Sequence, residues 1–252
     1  MELNLTNVIA ERKTKTVFLD NDKIVKLFVE NYSKADILNE ALNQARVEEA
    51  TDLNIPRLIE VTKVNNRWAI VIEYVEGETL AELMEKNPSK VDEYLNKFVD
   101  LQLDVLSKNV PLLSMLKDKY KRKLANLELD ENTKYELMHN LEGMKPHTKL
   151  CHGDFNPSNV IVAKDGAFHI VDWAHATQGN ASADCAMTYI LFMLEGKTEL
   201  AEKYLNLFSE KAQIEKSLIQ RWIPIVSAIK KEKANEKEQE MLKQWITVMD
   251  YQ

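Results

Sequence analysis

Short apolar runs separated by polar turn clusters dominate the first 75 residues, and this pattern is typical of β-strands. Five strands are predicted, at residues 5–10, 15–19, 23–29, 57–64 and 68–75. Between the third and the fourth, Ser33 is suited to cap a helix, and apolar residues recur at helical spacing from Ile37 to Ala45. Pro56 prevents the helix from continuing. The predicted order is therefore three strands, one helix and two strands.

The pattern becomes helical after Gly77. Thr79 and Glu82 have the spacing of a capping box. Amphipathic helices are predicted at about 79–86, 90–108, 112–126 and 132–143. A β-rich segment at residues 149–172 interrupts them, and helices are predicted from there onward. We therefore divide the chain into residues 1–76 and residues 77–252.

Composition narrows the functional class. The chain has 252 residues, with 33 basic and 40 acidic side chains and a net charge of −7, which argues against a nucleic-acid partner. The longest purely apolar run, residues 189–194, is too short to cross a bilayer, and no apolar stretch near the N-terminus resembles a signal peptide. Cys151 and Cys185 lack the spacing of a disulfide framework. These features predict a cytoplasmic protein with free thiols and no membrane partner.

The segment CHGDFNPSNVIVAKDGAFHIVDWAHA, residues 151–176, carries the candidate chemistry. It reads as a loop followed by a hairpin, with Asp165-Gly166 as the turn. Because a hairpin brings its ends together, Asn159 before it and Asp172 after it are predicted to be neighbours, and Asp154 lies on the preceding loop. Such oxygen-bearing side chains suit magnesium. Phosphoryl transfer needs that metal and a carboxylate that holds the attacking hydroxyl.

The order His152-Gly153-Asp154, four residues, then Asn159 resembles the catalytic loop of protein kinases. Glycine in place of arginine resembles the aminoglycoside phosphotransferase and choline kinase group, and Asp172-Trp173 stands where protein kinases carry D-F-G. The resemblance extends over nearly the whole chain. It implies an α+β, protein-kinase-like bilobal fold. The N-lobe has a small antiparallel five-stranded sheet and one helix, and the larger, mostly helical C-lobe carries a catalytic β-hairpin.

The resemblance also assigns roles at the reaction centre. Asp154 is implied as the catalytic base or the group that orients the hydroxyl, and Asn159 and Asp172 as the magnesium ligands. Asp184 matches an aspartate that steadies the catalytic loop from below.

For the nucleotide, the resemblance implies that Lys26 pairs with the α- and β-phosphates and that Glu40 on the following helix holds it. Glu48 is the alternative partner, since it flanks the same apolar stripe. The segment from Glu73 to Val75 is implied as the hinge whose backbone binds adenine.

The chain departs from protein kinases over the phosphates. Its six glycines all lie at or after Gly77, so no G-x-G-x-x-G loop and no Walker A motif is present. The turn at residues 11–16 must cover the phosphates instead. The candidate groups in that turn are Lys13, Thr14, Lys15 and Thr16.

These residues predict transfer of the γ-phosphate of ATP, with GTP as an alternative donor, to a hydroxyl group of a small molecule in the presence of Mg²⁺. A sugar, an amino alcohol and an aminoglycoside-like compound are the acceptors considered. From Ala176 onward, 11 acidic and 10 basic residues give little excess of negative charge, which disfavours polycationic aminoglycosides. A non-catalytic pseudokinase is one alternative. A protein kinase is another, although only 12 positions separate Asp172 from Asp184, which leaves no room for an activation loop.

Overall fold

The structure, a computed structural model, describes residues 3–232 and 234–246. Its contacts group the chain into two compact units. The first unit consists of the residues up to Pro88 together with Pro157–His175. The second consists of Ser89–Asn156 together with the residues from Ala176 onward. The division into lobes predicted at residue 76 stays a prediction. The grouping by contacts differs from it, because residues 77–88 and 157–175 belong to the first unit.

The strands in chain order are β1 (Val8–Glu11), β2 (Lys15–Asp20), β3 (Lys23–Phe28), β4 (Leu58–Val64), β5 (Arg67–Glu73), β6 (Gly77–Thr79), β7 (Lys149–Cys151), β8 (Val160–Ala163), β9 (Phe168–Ile170) and β10 (Thr177–Gly179). The α-helices are α1 (Lys34–Ala50), α2 (Leu80–Lys86), α3 (Val91–Ser107), α4 (Leu116–Asn126), α5 (Glu131–Gly143), α6 (Ala181–Leu194), α7 (Thr198–Ala212), α8 (Lys216–Gln220), α9 (Ile223–Lys231) and α10 (Glu236–Ile246). Single 3₁₀ turns lie at Pro88–Lys90, Pro157–Asn159 and Trp173–His175.

A five-stranded antiparallel sheet in the order β1-β2-β3-β5-β4 forms the base of the first unit. This confirms the five predicted strands and the single helix, α1, between the third and the fourth. Asn65 and Asn66 form the β4–β5 turn with φ of 49° and 65°, as their tolerance of left-handed backbone predicts. Side chains alternate between the two faces of the sheet, and each face is covered by apolar residues. One buried cluster contains Phe18, Val25, Leu27, Ala69 and Val71, and the other contains Phe28, Ile37, Ala41, Ile70 and Ile72.

The buried face of α1 differs from the apolar stripe that the sequence indicates. Ser33 caps the helix as predicted. However, Leu38 and Leu42 are 41% and 46% exposed, whereas Asn43 and Gln44 are buried. The side-chain amides of these two residues donate to backbone carbonyls, at 3.2 Å and 2.6 Å respectively. Hydrogen bonding therefore offsets the cost of burying two polar groups on this face.

A second sheet of the first unit contains β6, β8 and β9. The β8–β9 hairpin turns at Gly166, which has a φ of 86°, as the Asp165-Gly166 pair predicts. Gly77 begins β6, where a Cβ atom would clash with the carbonyl of Val162 on β8. This close backbone approach explains why glycine stands at the position where the sequence pattern changes.

The second unit is mainly helical. Helix α6 is its central element, since 11 of its 14 residues are buried. Phe98 from α3 stacks on Phe155 with ring centroids 4.6 Å apart, and Phe192 and Tyr204 lie around them. Strand β7, which pairs with β10, leads directly into the loop that contains Asp154. Within the described residues, none of the helices combines the length and the apolar character needed to cross a bilayer.

Candidate active site

Strand β3 directs Lys26 into an ionic cluster. Val25 and Leu27 point to one face of the sheet, so the strand alternation places Lys26 on the other face, together with Phe28. This resolves an orientation that the sequence pattern of Lys23–Phe28 leaves ambiguous. The Lys26 side chain is 11% exposed, and its Nζ lies 2.9 Å from Oε1 of Glu40.

Asp172 completes the pair of carboxylates around this lysine. Its Oδ1 lies 3.1 Å from Nζ of Lys26, and its side chain is 33% exposed. The residue follows β9 with a φ of 65°, a left-handed conformation that Asp adopts more readily than most side chains. Such a backbone at the end of the hairpin turns the carboxylate towards β3.

Lys15, the first residue of β2, brings a second cation to the cluster. Its Nζ lies 3.0 Å from Oε1 of Glu40 and 3.7 Å from Oδ1 of Asp172. It also lies 5.6 Å from the ring centroid of Phe28, its cross-strand neighbour. Two ammonium groups therefore share two carboxylates, and the four formal charges cancel.

These contacts change the protonation equilibria of the pair. Burial alone would lower the pKa of Lys26, but the negative charges of Asp172 and Glu40 raise it above its ordinary value. Lys26 in turn holds the pKa of Asp172 well below its usual range, against the opposing effect of burial and with further help from Lys15. Both groups are therefore charged at neutral pH.

Glu40 is the acidic residue of α1 that reaches the lysines. The alternative, Glu48, lies two turns further along, and its Oε2 accepts a hydrogen bond of 2.8 Å from the N–H of Leu58. Glu48 thus joins α1 to β4. Of the two glutamates that the sequence leaves open, Glu40 alone makes the contact with Lys26 among the described residues.

The end of the hairpin places the two predicted metal ligands beside each other. The N–H of Val171 donates to the carbonyl of Asn159 at 2.9 Å, so Asp172 follows directly after the residue that faces Asn159. Both Asn159 and Asp172 line a cavity of about 430 Å³. Within the described residues, no group of three or more His, Cys, Asp and Glu side chains forms a metal site. One carboxylate and one amide oxygen are nevertheless a sufficient protein contribution for magnesium, which takes its other ligands from water and phosphate.

The same cavity extends along the end of β5. Glu73, Tyr74 and Val75 contribute to its wall. The N–H of Glu73 donates to the carbonyl of Arg57 and that of Tyr74 to the carbonyl of Asp22, both at 2.9 Å. In the described part of the chain the N–H of Val75 has no backbone acceptor. The Glu73 carboxylate is paired with Arg57, whose Nε lies 3.2 Å from Oε2 of Glu73.

The turn between β1 and β2 holds the other predicted phosphate-covering groups. Lys13 is exposed and Thr14 is partly buried. The carbonyl of Thr14 accepts a hydrogen bond of 3.0 Å from the N–H of Val29, which ties the turn to the end of β3. Lys15 is the residue of this segment that the structure places in the Lys26 cluster.

In the second unit, Asp184 anchors the loop that carries Asp154. Its Oδ1 accepts a hydrogen bond of 2.7 Å from the N–H of Gly153, which has a φ of 80°. Its Oδ2 accepts one of 3.1 Å from the amide of Gln102. Burial raises the pKa of Asp184, although these donors act in the opposite direction. The N–H of Asp154 donates to Nδ1 of the fully buried His152 at 3.3 Å, so the loop is held on both sides of its glycine.

A model of the phosphotransferase enzyme family matches residues 9–216 of the sequence. The chain belongs to this family. The matched segment contains every residue of the cluster around Lys26 as well as the loop of Asp154. A comparison of the sequence with curated proteins finds no match.

Solved structures show the fold that this member of the phosphotransferase family shares. The apo form of a thermostable mutant of aminoglycoside phosphotransferase APH(4)-Ia matches with a TM-score of 0.71 and 14% identity, over 97% of this chain and 92% of that chain. A ternary complex of such a mutant with AMP-PNP and hygromycin B matches with a TM-score of 0.67 and 14% identity, over 94% and 88%. Choline kinase LicA from Streptococcus pneumoniae matches with a TM-score of 0.61 and 16% identity, over 99% and 95%. These likenesses confirm the predicted α+β, kinase-like fold.

One charged neighbour of Asp154 lies outside the segment that the phosphotransferase family model matches. Nζ of Lys230, near the end of α9, lies 3.8 Å from Oδ1 of Asp154. Lys230 belongs to no sequence motif and lies 76 positions beyond the aspartate. Only the packing of the second unit reveals the pair.

Proposed function

We propose that this member of the phosphotransferase family transfers the γ-phosphate of ATP to a hydroxyl group of a small molecule, with Mg²⁺ as cofactor. The observation that supports the proposal most is the position of Lys26. It is held by Glu40 and Asp172 at the wall of a cavity that Asn159 and Val75 also line. This arrangement combines ammonium groups that can bind phosphate with oxygen ligands for a metal. It also offers a backbone N–H, that of Val75, which can bind the adenine ring.

The lysines would bind the phosphates of the nucleotide. Lys26 is fixed on a strand and charged, so its ammonium can contact the α- and β-phosphates without reorganisation of the sheet. Lys15 shares Glu40 with Lys26 and extends the positive charge towards the β1–β2 turn. We infer that Lys15, with Lys13 and Thr14 of that turn, takes the place of the glycine-rich loop that the sequence lacks.

The base would lie along the end of β5. The N–H of Val75 has no backbone acceptor in the described structure and can donate to a ring nitrogen of adenine. Apolar residues from β2, β3, β5 and β8 line the same cavity and can cover the two faces of the base. They include Val17, Leu19, Ile24, Ile72 and Ile161. GTP remains the alternative donor, because a backbone contact of this kind does not by itself exclude guanine.

Asn159 and Asp172 fit a magnesium ion. Both offer hard oxygen atoms to the cavity, and the low pKa of Asp172 keeps its carboxylate ionised throughout the neutral range. Magnesium held there would supply positive charge against the β- and γ-phosphates. Lys26 contacts Oδ1 of Asp172 at 3.1 Å and therefore helps to fix the carboxylate that receives the metal.

Asp154 would hold the acceptor. The hydroxyl oxygen of the acceptor would form the new bond to the γ-phosphorus. The bond from that phosphorus to the β–γ bridging oxygen would break, and ADP would leave. The hydroxyl proton passes to the carboxylate of Asp154. Hydrogen bonds from the N–H of Gly153 to Asp184 and from the N–H of Asp154 to His152 hold the backbone of the loop that carries this carboxylate.

The test combines binding and turnover. The melting temperature of the purified protein is measured with Mg²⁺ and ATP or GTP, and nucleotide consumption is followed with a panel of hydroxyl compounds. We expect a rise in melting temperature by mass action and nucleotide consumption that depends on the acceptor. The absence of both effects would refute the proposal.

A pseudokinase is the alternative that this test also addresses, since it would bind nucleotide without turnover. The presence of Asp154, Asn159 and Asp172 together favours a catalytic protein.

Cys151 and Cys185 are both buried free thiols, which supports a location in the reducing cytoplasm as part of the same proposal.

A further inference from the structure

Lys230 and Asp154 form an ion pair in the second unit. Their closest charged atoms are 3.8 Å apart, which is an ion-pair distance but exceeds the range of a hydrogen bond. Among the described residues, Asp154 is the one ion-pair partner of Lys230. The ammonium group has three donors, so it retains capacity for a further acceptor.

The fold holds Lys230 at this position. The helix that carries it, α9, buries Ile225, Val226 and Ile229, and it packs against α6 and α10. The Lys230 side chain is 31% exposed, so its stem is partly covered while the head can meet solvent or a ligand. A charged group on a packed helix is better defined than one on a loop.

Two structural roles account poorly for this lysine. Lys230 and Lys231 both lie in the last turn of α9, where either one can interact with the helix dipole, yet only Lys230 is paired with Asp154. Glu232, the next acidic residue along the chain, is paired with Lys123 at 2.8 Å and does not engage Lys230.

We propose that Lys230 selects an anionic acceptor, a hydroxyl compound whose carboxylate pairs with the ammonium while its hydroxyl group meets Asp154. This inference rests on the proposed function, since it requires Asp154 to hold the acceptor. The two charged atoms are close enough to contact a hydroxyl and a carboxylate that lie a few bonds apart, as in a hydroxy acid, a sugar acid or a hydroxy amino acid. A cationic acceptor would place its ammonium groups near Lys230 and would be repelled.

Matched acceptors test the charge preference. D-Glycerate is compared with glycerol, and gluconate with glucose, by nucleotide consumption at fixed ionic strength. Glycerol 3-phosphate forms a second arm that separates carboxylate from phosphate recognition. Choline and kanamycin represent cationic acceptors. We expect kcat/KM for at least one carboxylate to exceed that of its neutral partner by tenfold or more, on the order of one charge-assisted contact, and to exceed that of its phosphate analogue.

Substitution of the lysine tests its role. Lys230→Met removes the charge and keeps much of the stem, so we expect it to raise KM for the anionic acceptor about tenfold with a much smaller effect on kcat. Lys230→Glu should shift the preference towards choline. Lys231→Met is the matched control, since it removes a lysine of the same helix turn that is not paired with Asp154, and it should leave the acceptor preference unchanged.

Different outcomes would overturn the anionic-acceptor inference and the proposed function. A protein that consumes ATP only with neutral or cationic acceptors, only with the phosphate, or with no member of the panel contradicts the inference. So does a Lys230→Met enzyme in which kcat falls by the same factor for every acceptor. If ATP and GTP with Mg²⁺ also fail to raise the melting temperature, the proposed function itself is wrong.

Discussion

Nζ of Lys26 lies 3.1 Å from Oδ1 of Asp172, although 146 positions separate them in the chain. If Lys26 binds phosphate and Asp172 binds the metal, the two residues that hold the metal–nucleotide complex are already in contact before the nucleotide binds. The carboxylate would then exchange an ammonium for a metal ion, and the ammonium would exchange a carboxylate for a phosphate. Each charge keeps an opposite charge beside it throughout, which limits the cost of burying it.

The first prediction concerns Lys26. Lys26→Ala should weaken the binding of Mg-ATP at least about tenfold, because it removes a charged donor that the cluster holds ready for the phosphates. The loss is measured as a smaller nucleotide-induced rise in melting temperature or directly by calorimetry. Lys63→Ala is the control, since Lys63 is an exposed residue of β4 whose Nζ lies over Trp68. Equal nucleotide affinity in both variants would remove Lys26 from the binding site.

The second prediction concerns the pH dependence that Asp172 contributes. Its pKa is lower in the folded protein than in the unfolded chain, where it is about 3.9. The stabilisation is therefore fully present above that value and is lost as the pH falls through the lower, folded-state pKa. Asp172→Asn should lower the free energy of unfolding by about 1–2 kcal/mol, because it leaves two lysines with one carboxylate.

Urea unfolding of wild type and Asp172→Asn gives the test. The difference between them should be constant from about pH 5 to pH 8 and should shrink below about pH 4. Asparagine is the suitable substitution, since it tolerates the positive φ of position 172 and adds no backbone strain. Asp165→Asn, in the exposed hairpin turn, is the control. A difference that grows as the pH falls would show that the sign is wrong.

The sequence pattern was sufficient for elements whose residues carry local signals. The Asn65-Asn66 turn and the capping box of Thr79 and Glu82 are local, and the structure confirms both of them. The spacing from Asp154 to Asn159 is a local signal of the same kind, and the roles that it predicts stay predictions. Contacts that depend on tertiary packing left no such signal.

Lys15 and Lys230 illustrate that limit. Lys15 is one of four polar candidates in the β1–β2 turn. The register of β2 against β3 places it opposite Phe28, and only the tertiary structure brings its Nζ to Glu40. Lys230 lies in a helix whose apolar pattern predicts burial of its other face but does not identify the residue opposite. The exposure of Leu38 and Leu42 also depends on tertiary packing. The face of α1 that is buried contains the amide side chains of Asn43 and Gln44, whereas apolar periodicity predicts that it contains the two leucines.

The third prediction concerns Asp184. Asp184→Asn replaces the carboxylate of a buried residue of α6 that accepts a hydrogen bond of 2.7 Å from the N–H of Gly153. We expect the free energy of unfolding to fall by about 1.5–3 kcal/mol, the usual contribution of hydrogen bonds to a charged group. Turnover should fall as well, because the loop of Asp154 loses its anchor. Glu210→Gln, at an exposed position of α7, should leave both quantities unchanged, and equal urea midpoints for the two variants would contradict the assignment.

The fourth prediction separates the chemical step from nucleotide binding. Asp154→Asn should lower turnover at least about a hundredfold, since it removes the group that accepts or orients the hydroxyl proton. Nucleotide affinity should be nearly unchanged, because Asp154 contacts the acceptor in the proposed mechanism. Lys26→Ala should instead weaken nucleotide binding together with turnover, and Asp118→Asn, at an exposed position of α4, should affect neither.

The contrast between Asp154→Asn and Lys26→Ala is more informative than either result alone. A pseudokinase would also bind ATP through Lys26, so loss of binding in that variant cannot establish catalysis. Turnover with an identified acceptor, abolished by Asp154→Asn while the nucleotide-induced rise in melting temperature persists, can do so. An Asp154→Asn enzyme with wild-type turnover would mean that the hydrogen bonds of Gly153 and His152 maintain a structural loop, and the catalytic assignment would have to be withdrawn while the fold assignment would stand.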